Sequence, residues 1–147
     1  MKLVLVSDEF YPVHSVVLDW LEEHGHQVIL FGALKSGQTE KSWVTPTIQA
    51  AHAIQTGECK EGIFFCWTGT GISIVANKVP GIRAALCTDA ETARGARIWN
   101  HANVLALSNR LLSQDVAKEI LSAWFEGFDM QKGIAGVEEL KTFESAR

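Results

Sequence analysis

The stretch Gly62-Ile63-Phe64-Phe65-Cys66-Trp67-Thr68-Gly69-Thr70-Gly71-Ile72-Ser73 constrains this chain more than any other. An apolar run ends in a cysteine, a Thr/Gly loop follows, and Ile72 to Lys78 reads as the opening of a helix. Strand, glycine loop and helix start belong to an α/β fold, in which ligands bind outside the carboxyl ends of the strands. Backbone N–H groups at such a helix start face an anion or a developing oxyanion. A thiol at the strand's end lies beside them, and helix N-termini favour the thiolate, which suits a base or a nucleophile. A cysteine at a strand end equally serves as a small buried hydrophobe, and spacing alone does not choose between the two. The loop lacks the later Gly-Lys-Ser/Thr of a phosphate-cradling loop and the third glycine of a dinucleotide fingerprint.

The rest of the chain repeats the alternation. Lys2–Ser7, Gln27–Phe31, Ile63–Cys66, Ile82–Cys87 and Val104–Leu107 read as five strands. Between them, Val16, Val17, Trp20, Leu21 and His24 recur at helical spacing before Gly25. Gly32–Pro46 reads as a polar connection, Thr47 as the cap of a helix through Thr56, Asp89 as the cap of a helix to Trp99, and Ser113 as the cap of a helix carrying Ile120, Leu121 and Trp124. The expected architecture is one Rossmann-like three-layer α/β/α domain with a five-stranded parallel sheet. Residues 1–126 form its core, and the polar, weakly helical tail 127–147 packs on a neighbouring subunit. Ser7-Asp8-Glu9, Cys66–Gly71 and Thr88-Asp89 converge at the carboxyl ends of the strands, with Ser108-Asn109-Arg110 able to join them.

A chain of 147 residues, 47% hydrophobic, buries a sizeable core. Its net charge of -4 without a basic block argues against nucleic acid and anionic membrane as partners. No apolar run reaches the roughly 18 residues of a membrane span. Three cysteines without a CxxC pair fit a reducing cytoplasm, and five scattered histidines lack metal-ligand spacing, so no metal is expected. Cys59 reads as a surface loop thiol and Cys87 as core. Trp20 and Trp124 read as packing residues, whereas Trp43, Trp67 and Trp99 either line the crevice or simply pack. Arg94 and Arg97 read as a solvated face, with Arg97 also within reach of a ligand near Trp99-Asn100, and His101 as a surface or interface residue.

The run from Cys66 through Gly69-Thr70-Gly71-Ile72-Ser73-Ile74-Val75-Ala76-Asn77-Lys78-Val79-Pro80-Gly81-Ile82-Arg83 to Cys87 resembles the ribose-5-phosphate isomerase B and galactose-6-phosphate isomerase family. Asn100-His101-Ala102-Asn103-Val104-Leu105 followed by Arg110 resembles a later segment of the same family, and Ser7-Asp8 fits its first strand. The resemblance covers residues 1–126. It implies a homodimer or tetramer with an active site shared between subunits, and cofactor-free aldose–ketose isomerisation of a sugar or sugar phosphate through a cis-enediolate. It places the base on Cys66 and an assisting hydroxyl on Thr68. Backbone amides at Gly69, Thr70, Gly71 and Ile72 would hold the enediolate oxygen. Asp8 and Asn100 would bind hydroxyls, and Arg110 the distal phosphate.

The departures have a direction. Glu9 stands where the family commonly has a phosphate-facing histidine, and Trp99 where it has a histidine implicated in ring opening. Ser42-Trp43-Val44-Thr45 replaces an Asp-Tyr-Pro-Asp pattern, and the tail from Gly127 to Ile134 has no phosphate-clamping arginine. A dianionic phosphate needs cations or many N–H donors, so this pocket is less cationic. Trp99 is a donor-only aromatic in place of a proton shuttle. A furanose would lose its ring-opening acid, whereas a short open-chain sugar such as a tetrulose needs none. The expected substrate is therefore a sugar or sugar phosphate other than ribose 5-phosphate. The alternative is a non-catalytic ligand-binding subunit or the partner of a catalytic paralogue.

Overall fold

The computed structural model describes residues 1–147. Its elements run β1 (Lys2–Ser7), α1 (Pro12–Glu23), β2 (Gln27–Gly32), α2 (Ala33–Ser36), α3 (Val44–Gln55), β3 (Glu61–Cys66), α4 (Thr70–Ala76), β4 (Ala84–Leu86), α5 (Ala90–Asn100), β5 (Val104–Ser108), α6 (Gln114–Phe125) and α7 (Ile134–Ser145). The five strands form one parallel sheet in the order β2-β1-β3-β5-β4. The chain leaves β1 for β2 on one side and crosses back to β3 on the other. The switch point therefore lies between β1 and β3, and a crevice opens there beyond the strand ends.

Alternate residues of the central strands are buried on opposite faces, which is why those strands are continuously apolar. Leu3, Leu5, Ile63, Phe65, Leu105 and Leu107 pack against α1, α5 and α6. Val4, Val6, Phe64, Cys66, Val104 and Ala106 pack against α3 and α4. The three-layer α/β/α fold with its five-stranded parallel sheet is as the sequence predicts. No helix is long and apolar enough to cross a membrane.

Several elements differ from expectation for local reasons. β4 is three residues rather than six. It lies at the sheet edge, and the Asn77 side chain takes its free backbone groups, accepting from Ala84 N at 2.8 Å and donating to Ala84 O at 3.0 Å. Side-chain amides there replace a ladder and blunt the edge. α3 starts at Val44, not after Thr47, because Ser42 Oγ accepts from Val44 N at 3.1 Å and Thr45 N at 3.3 Å. Thr47 is an interior residue whose hydroxyl donates to Trp43 O. The polar connection contains the one-turn helix α2. Asp89 and Ser113 do cap α5 and α6, accepting from Thr92 N at 2.7 Å and Val116 N at 3.2 Å.

The tail forms a full helix, α7, and its inner face lies on α5 of its own chain through buried Val137. The Gly133 turn leaves no room for a side chain, since a Cβ there would stand 2.6 Å from Trp99 O. Leu140 and Phe143 stay exposed on the outer face. His101 is buried rather than superficial, and its Nε2 contacts Lys132 O at 2.6 Å, which fastens the tail to the end of α5. Cys59 is likewise buried, its amide donating to Ala53 O as the chain turns out of α3, and burial pushes its thiol up. Cys87 is core as expected, with its thiol pushed up to about 12, chiefly by burial.

Candidate active site

β3 ends on Cys66 at the switch point, with Ser108 of β5 beside it in register and Ser7 of β1 on the other flank. Cys66 is 6% exposed, and its Sγ accepts from Gly69 N at 3.2 Å. That contact requires the loop to double back, which it does through Gly69 at φ +76°. A Cβ on Gly69 would stand 2.9 Å from the Leu107 carbonyl carbon and 2.6 Å from Leu86 Cδ1, so both conformation and space demand glycine. Thr68 and Thr70 flank it, and their exposed hydroxyls share a 2.6 Å hydrogen bond. Thr70, Gly71 and Ile72 open α4, where first-turn N–H groups have no partner within the helix. The Gly69 N–H is directed to the sulfur and so differs from these three. Trp43 lies over Gly71, where an added Cβ would approach its ring to 2.9 Å.

The loop after β1 brings two carboxylates to the same crevice. Asp8 Oδ1 is buried without a hydrogen-bond partner. Burial raises the Asp8 carboxyl above its ordinary range, a backbone hydrogen bond opposes this, and the neighbouring Glu9 charge adds to it. Glu9 Oε2 accepts from Tyr11 OH at 2.5 Å, which pushes the phenol up to about 12. The Tyr11 ring lies against Trp67 at 5.6 Å, and the Arg110 guanidinium stands 5.9 Å from the Trp67 ring. Arg110 is exposed and forms no ion pair, while its amide donates to Trp67 O at 3.1 Å. Ser108 Oγ donates to the same carbonyl at 3.0 Å.

One chain therefore gathers Asp8, Glu9, Cys66, Thr68, the glycine loop, Trp67, Trp43 and Arg110. It does not bring Trp99 or Asn100 to them. Those residues end α5, immediately before β5 begins, and so lie at the amino-terminal edge of the sheet. That is one strand length from Cys66, roughly 15 Å at about 3.3 Å per residue. Trp99 is exposed there, and the Asn100 carbonyl accepts from Arg83 Nε. Arg97 is not available to a ligand, because its guanidinium is buried against Glu61 at 2.7 Å. Asp89 is committed to capping α5. No group of three or more His, Cys, Asp or Glu side chains is placed to hold a metal ion.

Sequence reasoning missed two residues around this crevice, Tyr11 and His14, and it brought Ser7 and Asn109 to the strand ends without the contact between them. His14 Nε2 meets Asn109 Oδ1 at 2.7 Å, and Asn109 Nδ2 donates to Ser7 Oγ at 3.4 Å. The signal for His14 was its spacing with Val17 and Leu21, which places it on the core face of α1.

A cysteine held at a strand end, backbone donors at a helix start, a half-buried carboxylate and a free arginine can move a proton on a small anionic polyol. The Ribose/Galactose Isomerase family matches residues 3–140. The chain is 37% identical over 133 residues to a D-erythrulose-4-phosphate isomerase of Pectobacterium atrosepticum, covering 88% of this chain and 86% of that protein. It is 36% identical to ribose-5-phosphate isomerase B of Escherichia coli, covering 90% and 89%. The solved structure of Clostridium thermocellum ribose-5-phosphate isomerase B superposes with a TM-score of 0.89 at 36% identity, covering 99% of each chain. The chain belongs to the Ribose/Galactose Isomerase family and is an isomerase.

Proposed function

We propose that this isomerase interconverts the aldose and ketose forms of a short, open-chain sugar phosphate, with Cys66 as the base. The observation that carries the reading is the placement of Cys66 Sγ at the switch point, 3.2 Å from Gly69 N and beside the start of α4. The thiolate takes the proton from the carbon next to the carbonyl, and the electron pair left behind forms the enediolate. The amides of Thr70, Gly71 and Ile72 face the developing oxyanion. Thr68, with its hydroxyl bonded to Thr70, passes a proton between the two sugar oxygens. Cys66 then returns its proton to the neighbouring carbon, so the reaction is balanced without a redox partner. Asp8 Oδ1, unpartnered in the crevice, accepts from a substrate hydroxyl, and Arg110 pairs with the phosphate.

Trp99 supports the chain length of the substrate. A tetrose esterified at its terminal oxygen has no hydroxyl placed to close a five-membered ring, so it needs no ring-opening acid. One of the relatives acts on D-erythrulose 4-phosphate by name, which supports the same choice. The separation of Trp99 and Asn100 from Cys66 within one chain supports a site completed by a second copy. Sedimentation equilibrium that finds one chain per particle at assay concentration would sink that part.

The test is proton exchange followed by NMR in deuterated water, with tetrose to hexose sugars and their phosphates. Deuterium should enter the carbon beside the carbonyl of a four-carbon sugar phosphate, with little exchange of ribose 5-phosphate. Exchange confined to five- and six-carbon phosphates would overturn the chain-length assignment.

Glu9 sets a second expectation. Its carboxylate faces the crevice that takes the phosphate, and a like-charge contact of a half-exposed group such as this is worth about 1 kcal/mol. Glu9→Gln keeps an acceptor for Tyr11 and removes the charge. The KM for the phosphorylated substrate should fall roughly fivefold, with kcat within a factor of about two. A raised KM would show that Glu9 binds the substrate rather than opposing its phosphate.

A further inference from the structure

His14 is 5% exposed at the third position of α1, with its ring 4.6 Å from that of Phe65. Both ring nitrogens are committed. The Tyr11 amide can only donate, so Nδ1, 3.2 Å from Tyr11 N, is an acceptor. Nε2 must then carry the hydrogen, and it donates to Asn109 Oδ1 at 2.7 Å. That contact fixes which way the Asn109 amide points and turns Nδ2 toward Ser7 Oγ at 3.4 Å. Ser7 Oγ also accepts from Glu9 N at 3.3 Å. The result is a continuous hydrogen-bonded path, buried at its centre, from the Tyr11 amide through His14, Asn109 and Ser7 to the Glu9 amide. Burial holds the imidazole below its usual range and so keeps it neutral, as the path requires.

We infer that His14 is a positioning residue of the active site, acting through the Asn109 side chain to hold Asp8, Glu9 and Tyr11 in register with Cys66 and Arg110. The backbone already ties β5 to β3 independently of any side chain. Asn109 N donates to Cys66 O at 2.9 Å, and Arg110 N to Trp67 O at 3.1 Å. The side-chain path adds the one polar link from that pair of strand ends to the segment carrying the two carboxylates. Its loss should leave Cys66 in place and loosen the substrate-binding loop. The expected signature is a KM raised about tenfold with kcat changed less than about threefold. This kinetic form rests on the isomerase reading above.

The test compares His14→Leu, Asn109→Leu and the double variant. Each single change leaves a buried polar group unpaired and lowers the melting temperature, while removing both partners together restores most of it. For a positioning pair, KM in the double variant stays about tenfold high, as in either single variant, although the melting temperature recovers. A KM that recovers with stability makes the pair structural only. Single-variant effects that multiply in the double variant mean His14 does not act through Asn109. Either result overturns the inference.

Hydrogen exchange at the Tyr11 amide supplies a readout without substrate. In Asn109→Leu that amide keeps its direct acceptor, His14 Nδ1. Exchange at least about tenfold faster than in the wild type is expected once the ring loses its anchor, and unchanged exchange overturns the inference. A wild type that exchanges no sugar proton would count against the isomerase reading alone, since this arm needs no turnover.

Discussion

Cys66→Ala should lower kcat for the sugar-phosphate substrate by about a thousandfold, within the range of 10²–10⁴ attributed to a positioned general base. The sulfur is the one basic side-chain atom that the β3–α4 turn places at the strand end, and the Gly69 N–H pins it there. Thr68 and Thr70 offer hydroxyls, and Asp8 stands on a different loop, where the proposed mechanism gives it a substrate hydroxyl. Removing the sulfur leaves the Gly69 amide without its acceptor, at a cost of about 1–2 kcal/mol. For a chain of this size that amounts to a drop of a few degrees in melting temperature. The variant should therefore remain folded by circular dichroism while deuterium exchange stops. Cys66→Ser retains an acceptor for Gly69 and should keep the stability, but its hydroxyl is too weakly acidic to replace the thiolate. A Cys66→Ala protein that turns over within tenfold of the wild type would remove Cys66 from the chemistry.

Most of the site within one chain was legible in the sequence, because it is local. Strand end, cysteine, left-handed glycine and helix start follow one another from Phe65 to Ile72, and the topology rule for parallel sheets then gathers Asp8 and Arg110. What escaped depends on pairings distant in the chain. His14 and Asn109 are 95 positions apart and meet only because β1 and β5 flank β3. The buried stripe of α1 runs through Val13, His14, Val17 and Leu21, about one residue around the helix from the stripe through Val16, Trp20 and His24. A histidine on the core stripe is a signal, but its partner is not visible until the sheet is assembled. Trp99 and Asn100 are a different case. Within one chain α5 runs away from Cys66 and delivers them to the far edge of the sheet, so their part in a site depends on a second copy.

The shared site proposed above would give the far edge a function of its own. α5 ends there, and its last turn is fixed by Arg83, which donates from Nε to Asn100 O at 3.1 Å and to His101 O at 3.0 Å. Under the proposed shared site, a second copy presents Trp99 and Asn100 to the first copy's Cys66. The order of this edge then matters to catalysis in the other subunit. His101, Gly133 and α7 hold it from outside, and Glu61 and Arg97 hold it from within.

Glu61→Ala should be the most destabilising single change in this region. Glu61 opens β3 and is 6% exposed. Its Oε1 accepts from Arg97 Nη2 at 2.7 Å and its Oε2 from Trp124 Nε1 at 3.0 Å. Arg97 donates in turn to Ala102 O and stacks over Trp124 and Phe128, so one ion pair joins β3, α5, α6 and the start of the tail. Truncating Glu61 leaves the buried guanidinium without its counter-charge, with only the Ala102 carbonyl as acceptor, and the Trp124 indole N–H without a partner, at a cost of about 3–5 kcal/mol. At about 2–4 °C per kcal/mol the melting temperature should fall by roughly 10 °C. Replacing both members by apolar residues, Glu61→Leu with Arg97→Met, should recover much of that loss, because the pair's attraction is largely offset by its desolvation. A single variant that melts within about 1 °C of the wild type would show that water already reaches the pair. A double variant as unstable as the single would show that the charges themselves stabilise this edge.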